Sequence, residues 1–193
     1  MDLIVKFNGY TLNVIQKHGL TEETLNEFKL TRKFWSNIWS LKQKDNEQIA
    51  SFKIKTKIPF LNLDYIMTIQ LHQTKATKMI INYKEKTPHI LFTFDNSNYL
   101  FVFHTDNSVS LFKNEIQFAS LIKRNLTIGG SQEFLVRVDD NVNVRFLIII
   151  LCIIIITMYE GPEQSDFILD IDGSFKELRA KNKNWIPKSL LNL

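Results

Sequence analysis

The sequence has little of what punctuates or staples a chain: one cysteine, four prolines and six glycines in 193 residues. A lone Cys152 forms no intramolecular disulfide, which excludes a disulfide-stapled secreted domain. So few prolines and glycines leave no long linker. The four histidines, His18, His72, His89 and His104, share no metal-ligand spacing with one another or with Cys152. There is no serine-centred elbow and no phosphate-binding Gly-Lys-Ser/Thr motif. Asp166, Asp170 and Asp172 cluster before Gly173, but the glycine falls too early for a calcium loop. An enzyme is therefore the least expected class, and neither a metal nor another cofactor is expected. Residues 1–8, MDLIVKFN, lack the basic start and apolar core of a signal peptide. The expected location is the cytoplasm.

What the sequence does have is apolar and aromatic mass. Hydrophobic residues make up 45% and aromatics 12%, with fifteen phenylalanines, which marks a folded globule rich in strand formers. The longest apolar run, residues 146–158 (FLIIILCIIIITM), carries one hydroxyl and no charge. As a helix it reaches roughly 20 Å, against about 30 Å for the hydrocarbon core of a bilayer. A helix apolar on every side yet too short to span belongs inside protein. Asp139, Asp140 and Asn141 are its candidate N-caps, and Gly161-Pro162 is its stop. The helix is expected over about 142–159.

Ahead of that run the pattern has period two, as half-buried strands do. Phe52, Ile54 and Ile58 alternate with three lysines. Ile90, Phe92 and Phe94 line one strand face, and Phe134, Val136 and Val138 another. Turn formers separate the runs, at 87–88, 95–98, 105–108, 113–114 and 129–130. Residues 21–28 fit a capped helix or the start of a strand equally well. Short connections at regular spacing point to an antiparallel sheet that closes or folds over. The expectation is one domain over 1–160 and a charged extension over 161–193, loosely held around Trp185.

The net charge of +4 is unevenly spread: residues 51–86 carry seven lysines against two acids. Such a patch suits an anionic partner, although lysines also blunt edge strands.

Two blocks resemble a known family. Residues 28–35 (FKLTRKFW) and 39–55 (WSLKQKDNEQIASFKIK) resemble the strand–turn–strand unit of the tubby C-terminal-like superfamily, in particular its LURP-one-related branch. The acidic turn at Asp45-Asn46-Glu47 lacks the glycine common there. Residues 109–113, 116–124 and 134–138, followed by the apolar run and the closing MYE, are similar to the family's last strands and hydrophobic helix, an ending shared with phospholipid scramblases. The resemblance implies a closed antiparallel β-barrel of about twelve strands around one central helix, in a mostly non-enzymatic family. Some of its members bind phosphoinositides.

The leading expectation is a non-catalytic domain, cytoplasmic and peripheral at a membrane, touching anionic lipid headgroups through Lys53, Lys55, Lys57, Lys75 and Lys78. Alternatives are a scramblase-like protein inserted through 146–158, and a scaffold for a protein partner. Nucleic acid is the least favoured partner: Trp35 and Trp39 would have to serve as stacking platforms, and no recognised binding signature accompanies them.

Overall fold

The computed structural model describes residues 1–8, 11–18, 21–33, 37–56, 64–71, 77–82, 89–125, 132–159 and 178–188. The chain is mainly β. In sequence order the strands are β1 (Asp2–Asn8), β2 (Thr11–His18), β3 (Thr21–Arg32), β4 (Ile38–Gln43), β5 (Gln48–Thr56), β6 (Asp64–Leu71), β7 (Thr77–Asn82), β8 (His89–Phe94), β9 (Ser97–Phe103), β10 (Ser108–Lys113), β11 (Ile116–Asn125) and β12 (Gln132–Val138). One helix, α1 (Val144–Tyr159), follows. The ambiguity at 21–28 resolves as strand, because β3 is paired along its length with β2 and β4.

All strands belong to one antiparallel sheet in which sequence neighbours are also neighbours in space. β1 pairs with β2 on one side and with β12 on the other. The thinnest described ladder is β7 with β8, a single register pair, Ile80↔Leu91.

The hairpins show how the turn residues set register. Asp95 and Asn96, at φ 46° and 55°, form the two-residue turn between β8 and β9. Asn114 and Glu115, at 46° and 68°, do the same between β10 and β11. Two successive positive φ values match the twist of the flanking strands, and after glycine it is Asn and Asp that tolerate them best. Asn46 takes φ 66° in the β4–β5 turn, a left-handed conformation that asparagine tolerates better than most residues with a side chain.

Alternation along the strands sends one set of side chains inward. Leu3, Val5 and Phe7 of β1, Phe28 and Leu30 of β3, Phe101 of β9, and Phe134 and Val136 of β12 are all within 2% of full burial. They join α1 in one contiguous core. Every residue from Leu147 to Ile156 is buried, so α1 meets protein on all sides. Isoleucine is a middling helix former, and it is this packing that holds the helix.

The helix starts two residues later than the sequence suggests. Asn143 is the N-cap, its Oδ1 accepting from Arg145 N at 2.8 Å and Phe146 N at 3.3 Å. Asp139 is buried and accepts elsewhere, and Asp140 pairs with the Met1 amino group at 2.7 Å. The Gly161-Pro162 stop and the turns at 87–88 and 129–130 lie outside the described residues. Among the described residues, no helix is long and apolar enough to cross a membrane.

Candidate functional site

Three surfaces carry chemistry: the lysine face, a polar cluster under the C-terminal segment, and a cavity beside the start of α1.

The lysine face is built by register. Ile54 is buried, and Lys53 beside it is exposed. Lys53 stands opposite Thr68 of β6, and Thr68 stands opposite Lys78 of β7. Lys53 and Lys78 thus share one cross-strand row, about 10 Å apart at the usual strand spacing. Lys55 sits two residues along β5, at a register position on the same face, opposite Ile66. Lys57 and Lys75 lie outside the described residues. A further lysine pair escaped the sequence reading: Lys29 and Lys42 are directly opposed between β3 and β4. The available signal was their alternation with the buried Phe28, Leu30 and Leu41.

Among the described residues, no three His, Cys, Asp or Glu side chains are placed to hold an ion. His104 is buried, its Nε2 lying 2.8 Å from Ser110 Oγ. Ser110 is only 2% exposed, so this pair has the spacing of a base and a nucleophile without access for a substrate. Cys152 is fully buried, and burial pushes its thiol far above the ordinary range. Trp39 lies in the core, which removes it as a stacking platform; Trp35 lies outside the described residues.

The segment 178–188, expected to be loose, is tied down at four points. Arg179 pairs with Glu115 and its guanidinium carbon lies 4.5 Å from the centroid of the Phe112 ring. Lys181 pairs with Asp106 at 2.5 Å. Trp185 Nε1 donates to Gln117 O at 3.3 Å, and Lys188 N donates to the Asp139 carboxylate at 2.9 Å. Consistent with a covered outer face, β10 is buried on both faces, from Ser108 to Phe112. Burial alone would raise the Asp106 carboxyl. Hydrogen bonds from Lys181 and Ser108, and the positive charges of Lys181 and His104, outweigh it and hold the group below its ordinary value.

A depressed carboxyl stabilises the folded form above its unfolded pKa, and that contribution is lost as pH falls through the lower folded value. The Trp185 indole N–H resonance is therefore expected to stay fixed from pH 5 to 8. It should move only once the pH falls below the ordinary carboxylate range, as Asp106 takes up its proton. A shift centred near neutral pH would show that another group holds the segment.

The cavity, of about 400 Å³, lies between the β10–β11 turn and the start of α1. Its floor is aromatic: Tyr99, Phe118 and Phe146, with ring centroids 6.1 Å (Tyr99–Phe118) and 5.3 Å (Tyr99–Phe146) apart. Lys113, Asn114 and Asn141 stand exposed on its rim. Compared with family models, with characterised proteins and with solved structures, the chain matches none.

Proposed function

We propose that the chain is a non-catalytic binding domain of the tubby-like kind, whose sheet closes as a twelve-stranded barrel around α1 and which meets anionic lipid headgroups through its lysine face. The observation that carries this reading is the row Lys53–Thr68–Lys78, joined along β5 by Lys55. Like charges gathered on one face of a sheet repel, here with Lys53 and Lys78 one strand apart across Thr68 and Lys55 two residues along β5. A layer of phosphate groups relieves that repulsion, each nearby lysine contributing about 1 kcal/mol at an anionic surface. Barrel closure is supported by the two partners of β1 and by the burial of α1 all round. The tubby-like assignment is supported by the order of strands and helix, together with the two sequence blocks that resemble that family. Binding at the surface leaves 146–158 in the core, whereas the membrane-inserted alternative would have to expose ten consecutive buried residues.

Co-sedimentation with vesicles tests the reading. The protein is expected to pellet with vesicles containing phosphatidylserine or phosphoinositides at low salt, to be released at high salt, and to ignore neutral phosphatidylcholine. Absence from both pellets would turn the function towards a protein partner. Salt-resistant binding to neutral vesicles would favour insertion.

A further inference from the structure

The cavity at the start of α1 lies apart from the lysine face and has a chemistry of its own. Tyr99 and Phe118 are nearly buried, whereas Lys113, Asn114, Asn141 and Lys188 are exposed, so the pocket has an apolar base and a polar mouth. That division suits a ligand with an apolar body and one polar end.

Charge narrows the choice. Lys113 Nζ lies 5.9 Å from the centroid of the Tyr99 ring, and among the described residues it has no ion pair. Lys188 spends its backbone N–H on Asp139 and has no side-chain ion pair among the described residues. Among the described residues of the wall Asp139 is the one acid, so their charges sum to one net positive. A monoanion balances it, while a phosphate dianion would leave a negative excess beside the buried Asp139. The volume lies within the range of small-molecule sites.

We propose that this cavity binds a small monoanionic carboxylate with an aromatic or branched apolar body. The body lies on Tyr99, Phe118 and Phe146, and the carboxylate meets Lys113 and Lys188. Asn114 helps shape the mouth, its Oδ1 already accepting from Asn98 N at 2.8 Å. Because the backbone of Lys188 is held by Asp139, the docked C-terminal segment forms part of the wall.

The test uses the full chain and three probes of one shape, followed by calorimetry: naphthalene-2-carboxylate, 2-naphthalenemethanol and 2-naphthylmethylammonium. The carboxylate is expected to bind about tenfold tighter than the alcohol, as charge-assisted hydrogen bonds at a partly open site allow. The ammonium should bind weakest. The double variant Lys113→Gln/Lys188→Gln should keep its melting temperature and its affinity for the alcohol while losing the preference for the carboxylate. Should that variant fail to fold, the methyl resonances of Ile116 and Val142 in the unaltered chain are expected to move first on titration with the carboxylate. Equal binding of the three probes, a preference that survives in the double variant, methyl shifts confined elsewhere, or no carboxylate binding at millimolar concentration would each overturn the proposal.

Discussion

Ile150→Lys is expected to leave no folded protein. Ile150 lies at the middle of the buried stretch of α1 and is fully enclosed. A lysine there must either keep an ammonium out of water or surrender its proton, and the effective penalty is several kcal/mol. The lost packing of the isoleucine adds to it. A domain's whole stability is about 5–15 kcal/mol, so the two costs together rival it. Ile150→Val removes one methylene and should cost only about 1 kcal/mol, unfolding cooperatively at a slightly lower temperature. Circular dichroism and gel filtration in detergent-free buffer separate the outcomes. A monomeric Ile150→Lys protein melting like the parent would mean that α1 is not enclosed by the sheet.

The second large effect concerns the surface. Lys53→Glu/Lys55→Glu/Lys57→Glu is expected to weaken binding to anionic vesicles by about a hundredfold or more, since three contributions of about 1 kcal/mol are lost and then reversed in sign. Stability should change little. Lys53 is exposed, and surface substitutions of this kind usually stay within about 0.5 kcal/mol each. The row geometry adds a finer expectation: Lys53→Glu and Lys78→Glu, at register positions in one row across Thr68, should be less than additive in their effect on binding, because either change relieves the same repulsion. Vesicle titration followed by sedimentation measures both. Full binding by the triple variant would remove the lysine face from the account.

Much of the fold can be read in the sequence because its physics is local. The run 146–158 is too apolar for a surface and too short for a bilayer, and it lies within α1. The period-two run 134–138 lies within β12 and the described part of the run 52–58 lies within β5, and Asp95-Asn96 and Asn114 mark real hairpin turns. The N-cap shows where local reasoning stops. Asp139 is as good a cap as Asn143 by residue type, but it is buried against the C-terminal segment, and only tertiary contact distinguishes the two.

The docking of 178–188 was not legible for the same reason. Its anchors lie far away along the chain: Arg179 on Glu115, Lys181 on Asp106, and Trp185 on a backbone carbonyl that any residue supplies. A mixture of lysines and one tryptophan reads as a solvated tail until those partners are known. The cavity is likewise assembled from β9, β11, the β10–β11 turn, the approach to α1 and Lys188, and no spacing in the sequence announces it. The lysine face lies between these cases. Alternation places Lys53 outward, but the register that brings Lys78 into its row is a property of the sheet.

The central claim is that α1 is the core of the β-sheet fold, and Cys152, the single cysteine, reports on it directly. The measurement is the rate of Cys152 alkylation by a water-soluble maleimide in detergent-free buffer, with and without anionic vesicles, compared with the rate in guanidinium. The account predicts modification at least about a thousandfold slower in the native protein than in denaturant, limited by global unfolding and unchanged by vesicles. Rapid native modification, or protection that depends on vesicles or detergent, would contradict it.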